Sequence, residues 1–392
     1  LCVFGTTCYR TRKSQHKAWR ELKRKKHAVI LAHSYVNPEI VYGVADYRSD
    51  SYALSLAARD SGADVIVFAG VVFMAETAKV LSPQATVLVP DRASGCSLAD
   101  SLSGDELREL KRHHPDAAVA CYINSSVEVK AESDVCVTSG NAYKVVASLP
   151  EREVLFVPDS IMARNLQDEL RRNGVDKVLH TSDGSCIVHA QFTPDLIETE
   201  RARYPDLAVV SHPECAPEIV ARSDYVGSTG GMMEFVRDSD APYFMMLTEC
   251  GLVSRLEAEN RDKRFISSCK LCPYMKLNSL RKIRDVLAAP TADKVIEVDP
   301  ALAADARAAI DSVRAAGITD IAISFLFSYV NPAHELRMRE LITETYPEAT
   351  VSLSHEVYPR WREYDRASTV LADAFLKSLI EDYIQNLSLI NI

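Results

Sequence analysis

No apolar run in this chain approaches the roughly 20 residues needed to cross a bilayer. The longest, VIVFAGVVFMA from Val65 to Ala75, reads as a buried strand and turn. A basic segment followed by an apolar core and a cleavage site is also missing from the start, so a secretory signal is not expected and the cytoplasm is. The first residue is Leu1 and not Met, which leaves open whether the natural start is present. Basic clusters interleaved with aromatics are lacking outside RELKRKKH (from Arg20), and the formal net charge is −9, so nucleic acid is excluded as a partner. Cys269 and Cys272 form a C-x-x-C with no second C-x-x-C to complete a zinc site. Ten cysteines without a secretory signal speak for a reduced compartment, where thiols bind metals, react or fill cores, and against a disulfide scaffold.

The 392 residues exceed what one small core can organise, and a charged fraction of 25% beside a hydrophobic fraction of 47% marks a globular chain, not a disordered one. Apolar runs such as HAVILAHSY, ADVIVFAG and TVLVPD alternate with helical stretches, the pattern of α/β units. An internal repeat organises them. Shifted by 90 residues, the segment from Cys121 to Val146 lies without a gap on that from Ser211 to Val236, with Glu128, Ala131, Ser133, Asp134, Gly140 and Val146 on identical residues. A looser first copy runs from AHSYVNPEI through GADVIVFAG, with Asp64 and Gly70 in the places of Asp134 and Gly140.

In each copy an apolar strand ends on a polar residue, His33, Tyr122 or His212, and α/β sheets bind ligands beyond the carboxyl ends of their strands. Each copy also supplies a cysteine: Cys96, Cys186 and Cys272 are 90 and 86 residues apart, close to the repeat length. Three thiols brought to one point suit soft metals, above all an iron-sulfur cube whose fourth iron stays open as a Lewis acid. Cys121, Cys136, Cys215 and Cys250 lie in or beside apolar strands outside this pattern and read as core. Cys2 and Cys8 carry no signal, and Cys269 reads as a neighbour able to form a reversible disulfide with Cys272.

Together the motifs AHSYVNPEI, GVVFMAETAKVLSP, GCSLADS, CYINSSVEVKA, VTSGNA, VHAQFTP, SHPEC, VGSTGGM, TECGL and CPYMKLNSL resemble the quinolinate synthase family over residues 15 to 300. The resemblance implies three α/β units around a pseudo-threefold axis with a central 4Fe-4S cluster held by Cys96, Cys186 and Cys272. It implies condensation of iminoaspartate with dihydroxyacetone phosphate to quinolinate for NAD synthesis, with L-aspartate oxidase as a supplier of iminoaspartate. By motif, substrate binding falls to His33, Ser51, Tyr122, Asn124, Ser139, His212, Glu214 and Thr229, and catalysis to Glu214 as general base and Tyr35 as proton donor. His189, three residues after Cys186, reads equally as a group backing that cysteine or as a buried structural histidine and is left outside this site, and His113 and His114 read as solvated. Departures include a segment EIVYGV one residue longer than usual before Ala45, and PDSIMARNL where the family carries PDxNLG.

The expected body, residues 1–300, thus divides into units of about 27–115, 116–205 and 206–300. Residues 301–392 form a partial α/β appendage that resembles a fragment of the N-terminal domain of hydantoinase A and 5-oxoprolinase proteins. Strands are expected over 320–327 and 350–357, and helices over 332–346 and 364–387. Two other functions stand beside the synthase: a binding protein that keeps iron-sulfur or zinc without catalysis, and, from the tail, an ATP-dependent hydantoinase-like subunit. The retained polar set opposes the first, and the tail's length opposes the second.

Overall fold

Three consecutive stretches of the chain each fold into a four-stranded, all-parallel sheet with the same strand order. The computed structural model describes residues 19–266, 268–311, 320–323 and 350–357, with 332, 335, 336, 339 and 369. The first sheet contains β1 (Ala28–His33), β2 (Tyr47–Ser49), β3 (Val65–Ala69) and β4 (Thr86–Leu88). The second contains β5 (Ala118–Tyr122), β6 (Val135–Val137), β7 (Glu153–Val157) and β8 (Val178–His180). The third contains β9 (Leu207–Ser211), β10 (Tyr225–Val226), β11 (Tyr243–Leu247) and β12 (Arg264–Ile266). The orders are β2-β1-β3-β4, β6-β5-β7-β8 and β10-β9-β11-β12. Helices cross between parallel neighbours and cover both faces, which is why the central strands are continuous apolar runs: Ile30, Leu31, Val119, Ala120, Val209 and Val210 are all buried.

A short carboxylate closes each sheet at the same point. Asp46, Asp134 and Asp224 accept the backbone N–H of Ile30, Val119 and Val209 at 2.9, 2.7 and 2.7 Å. Their own amides donate back to the carbonyls of those residues. The first-copy partner of Asp134 is therefore Asp46 and not Asp64. Asp46 stands 16 residues after its partner whereas the other two stand 15 after theirs, so the extra residue of EIVYGV shifts the register and hides the match.

The cysteine-bearing loops are fixed by a second recurring bond. Val72, Ser160 and Cys250, each the first residue of a helix, donate their N–H to Ser94, Gly184 and Lys270 at 2.8, 2.9 and 3.1 Å. Each acceptor lies two residues before one of Cys96, Cys186 and Cys272. Short 3-10 turns at Ala99–Ser101, His189–Gln191 and Met275–Leu277 then carry the chain away. Gly184 is constrained by contact: a Cβ there would collide with Ser101 Oγ and the Pro158 carbonyl. Gly184→Ala is expected to destabilise the fold by about 1–3 kcal/mol, the usual range for overpacking, seen as a lowered thermal midpoint. An unchanged midpoint would show that the loop gives way instead.

Cys121, Cys136 and Cys215 are buried, as expected. Cys250 is buried as expected too, but it forms a disulfide with Cys269 at a Cα–Cα distance of 5.1 Å, where Cys272 was the partner expected for Cys269. The bridge between Glu249 and Lys270 sets the two segments side by side, so Cys269 meets Cys250 and leaves Cys272 free. His114 stacks on His180 with ring centroids 3.9 Å apart.

The helix Pro300–Asp311 buries Ala306 and Ala309 in the core that also holds Leu107, Val119 and Val127. The chain divides into two compact units, Leu1–Val313 and Arg314–Ile392. In the second unit, β13 (Asp320–Ile323) pairs in parallel with β14 (Thr350–Leu353). The strand expected over 350–357 ends at Leu353, where Ser354–Val357 form a helical turn. Glu335 captures that turn, accepting from Ser354 Oγ at 2.5 Å and from the His355 amide at 3.1 Å. Cys2, Cys8, residues 324–327 of the other expected strand and most of the two expected tail helices lie outside the described residues.

Candidate active site

The carboxyl ends of β1, β5 and β9 deliver His33, Tyr122 and His212 to one cavity of about 250 Å³. The same cavity is lined by Tyr35, Ser51, Cys96, Asn124, Ser139, Cys186, Glu214, Thr229 and Cys272. Every residue named from the sequence as catalytic, binding or metal-ligating therefore faces one space.

Two of its hydroxyls stand at helix starts. Ser51 opens the helix Ser51–Asp60, capped by Asp50, and Thr229 opens Thr229–Asp238, capped by Ser228. Ser139 precedes the shorter helix Ala142–Ser148. No Lys or Arg occurs among the described lining residues, so an anion here meets helix N-termini and hydroxyls, not cationic side chains. Burial, aided by the charge of Lys276, lowers His33 to about 3, and burial lowers His212 to about 4. Both imidazoles are thus neutral at pH 7.

Glu214 is the centre of the polar contacts and is 3% exposed. Tyr122 Oη donates to Glu214 Oε1 at 2.6 Å, and Asn124 Nδ2 donates to the same oxygen at 3.3 Å. On the other oxygen His189 Nδ1 lies 2.8 Å away. Burial opposes the charge of Glu214, but the imidazoles of His212 and His189 and the bonds from His189 and Tyr122 outweigh it and hold the carboxyl well below the usual range. Burial also pushes the Tyr35 and Tyr122 hydroxyls above the usual tyrosine range, so both keep their protons.

Several residues escaped the sequence reading. His189 is buried, and its three-residue spacing from Cys186 was the available signal. Thr248, from the motif TECGL, contacts both Tyr35 and His189. Asn165 gives both hydrogens of its amide to the carbonyls of Pro213 and Cys215, at 2.8 Å each, and so clamps the backbone on either side of Glu214. Glu249 accepts from the Cys272 amide at 3.1 Å and from Lys276 at 3.0 Å. Lys276 also donates to the Tyr35 carbonyl at 2.6 Å, which ties the third cysteine loop to Tyr35.

The three thiols fit a metal group by their surroundings. Burial pushes all three up, Cys96 to about 12, so a bare thiolate would be costly here without a cation. Each sulfur nevertheless receives backbone N–H groups from the second and third residues after it: Leu98 and Ala99, Val188 and His189, Tyr274 and Met275. Such paired amides address the negative charge that a metal-bound sulfur retains. Cys186, His189 and Glu214 place their ligand-type atoms within 4.8 Å of one another, so the contacts around Glu214 adjoin the thiols.

A buried network of carboxylate, imidazole and phenol groups set among the tips of three parallel sheets, beside three amide-cradled thiols, marks an enzyme of the α/β class. The chain belongs to the quinolinate synthase family. Residues 17–315 match the family described as Quinolinate synthetase A protein. Quinolinate synthase 2 of Mesorhizobium japonicum is 43% identical over 295 residues, which cover 75% of this chain and 89% of that protein. Quinolinate synthase of Geobacter metallireducens is 45% identical over 294 residues, 74% of this chain and 94% of the relative. That of Xylella fastidiosa strain Temecula1 is 44% identical over 295 residues, 75% and 85%. Among the described residues no helix is long and apolar enough to cross a membrane.

Proposed function

We propose that this protein is a quinolinate synthase of NAD biosynthesis, condensing iminoaspartate with dihydroxyacetone phosphate and releasing phosphate and water. One observation supports this above the rest: the sequence-identified binding, catalytic and thiol residues all line a single cavity. Cys96, Cys186 and Cys272 would hold a 4Fe-4S cluster. When bound, such a cluster supplies a Lewis-acidic iron with an open position.

The chain's own groups do the rest. Ser51, Ser139 and Thr229, with the helix starts behind them, receive carboxylate and phosphate oxygens. His33 and His212, neutral, each accept a backbone N–H at Nδ1, from Tyr35 at 3.2 Å and from Glu214 at 3.4 Å, and so offer a donating Nε2–H to substrate oxygens without adding charge. Tyr122 and Asn124 hold the Glu214 carboxylate in place to accept a substrate proton. Tyr35, still protonated, returns a proton to a departing hydroxyl from the β1 side. Burial of the network excludes water that would hydrolyse the imine. L-aspartate oxidase fits as the supplier of iminoaspartate, and the cytoplasm as the compartment.

The test is turnover of the anaerobically reconstituted protein with iminoaspartate and dihydroxyacetone phosphate, reading quinolinate. Quinolinate is expected from the full chain and equally from a chain ending at residue 315, where the family match ends. A cluster-loaded protein that forms none would make it a binding homologue, and activity lost only in the shortened chain would give the tail a role.

A further inference from the structure

His114, Glu153 and His180 meet at the edge of the second sheet, and none of them lines the cavity at the strand tips. Glu153 opens β7, and His180 ends β8, the edge strand. The register sets Glu153 opposite Val178 and Leu155 opposite His180. Glu153 and Leu155 share one face of β7, so the carboxylate and the imidazole project from the same side of the sheet. His114 arrives from the end of the helix Gly104–His113, where its amide donates to the carbonyls of Leu110 and Lys111.

The three side chains converge on one point. His180 Nε2 lies 2.9 Å from Glu153 Oε2, and the His114 ring stacks on that of His180 with centroids 3.9 Å apart. One ligand-type atom from each residue lies within 4.8 Å of the other two. Atoms bound to one zinc ion at about 2.0–2.1 Å in a tetrahedral shell are about 3.3 Å apart, so small side-chain rotations suffice to close the set. All three residues are half-buried, which leaves the point open to an ion and a water from solvent. Among the described residues no Lys or Arg pairs with Glu153; the adjacent Arg152 turns instead to Asp176 at 2.9 Å. The charge of this carboxylate is therefore left to face the two imidazoles.

We propose that His114, Glu153 and His180 form a binding site for a divalent transition metal, zinc first among them, separate from the three thiols. Two imidazoles and one carboxylate, with water in the fourth position, are a donor set that zinc takes. The set is too rich in nitrogen for magnesium or calcium and lacks the thiolates that draw softer ions. On binding, the metal takes the Nε2 position of His180 beside Glu153, and the ring keeps its proton on Nδ1. Each ligand is mounted on a helix end or a strand, so the ion fastens the helix Gly104–His113 to β7 and to the edge strand β8. From His180 the chain runs directly into the loop that carries Cys186, so the same ion anchors the root of that loop.

The test uses the full chain, anaerobically reconstituted with iron and sulfide, then given zinc chloride and desalted. Zinc and iron are counted on the same sample, and X-ray absorption at the zinc edge reads the ligands. About one zinc per chain is expected, with a nitrogen and oxygen shell, imidazole scattering, no sulfur, and undiminished iron. Zinc should also raise the thermal midpoint. His180→Gln and His114→Gln should each weaken zinc binding by about tenfold or more, since even the loss of a group that merely supports a ligand costs 10–100-fold. In both variants zinc should leave the midpoint where it was. Glu153→Gln, at a 45% exposed side chain, serves in the same way should a histidine variant fail to fold. No retained zinc, sulfur in its shell, or equal affinity in the folded variants would each overturn the site. None of these readouts requires turnover, so the outcome stands apart from that of the proposed reaction.

Discussion

Glu214→Gln is expected to lower turnover by roughly 10²–10⁴-fold, the span that a positioned acid or base contributes, while iron and sulfide content stay at the unmodified level. The substitution keeps size and shape. An amide oxygen in the place of Oε1 still accepts from Tyr122 and Asn124, which now bond at 2.6 and 3.3 Å. The amide nitrogen, however, faces His189 Nδ1, where a donor meets a donor unless the imidazole changes tautomer. Thus the variant loses both the proton acceptor and the contact that orients His189. The backbone at position 214 should not move, since Asn165 holds the flanking carbonyls independently of the side chain. Steady-state kinetics with metal analysis on the same sample decide the point. A variant that turns over within a few fold of the unmodified enzyme would transfer the role of base elsewhere.

The parts of this site that were legible in sequence are those that repeat or sit in contiguous motifs. Cys96, Cys186 and Cys272 could be separated from the other cysteines because each copy of the α/β unit supplies one, and the bond two residues ahead of each explains the regularity. His33, Tyr122 and His212 were legible because an apolar run ends on a polar residue in all three copies. Asp46 was not, because one extra residue moves it out of register with Asp134 and Asp224.

His189, Thr248 and Asn165 were illegible for another reason. Their partners lie 25 to 213 residues away in the chain, and a lone His, Thr or Asn inside a motif gives no sign of which neighbour it will meet. The same holds for the Cys250–Cys269 disulfide, whose partners become neighbours only when the Lys270 carbonyl accepts the Cys250 amide. In the tail the apolar pattern runs to Val357, but a buried carboxylate at Glu335 captures Ser354 and His355 and ends the strand early.

Cys96→Ser, Cys186→Ser and Cys272→Ser should each abolish turnover, with loss of most bound iron and sulfide and of the visible absorption that accompanies them. An alcohol oxygen is harder than a thiolate sulfur and far more reluctant to lose its proton, so serine is a poor substitute in a soft-metal site. The amides that cradle each sulfur cannot compensate: they stabilise charge already present and do not create it. The fold itself should survive, because all three cysteines are only partly buried and the loop anchors are backbone bonds one step removed from them. Cys215→Ser and Cys269→Ser are the controls that give the experiment its force. Cys215 is buried with its thiol donating to the Leu247 carbonyl at 3.3 Å, and Cys269 is engaged with Cys250, so neither sulfur is available to a metal. Both variants should bind iron and sulfide as the unmodified protein does. Full cluster content in Cys96→Ser, or its loss in Cys215→Ser without unfolding, would mean that the three copies do not share one metal site.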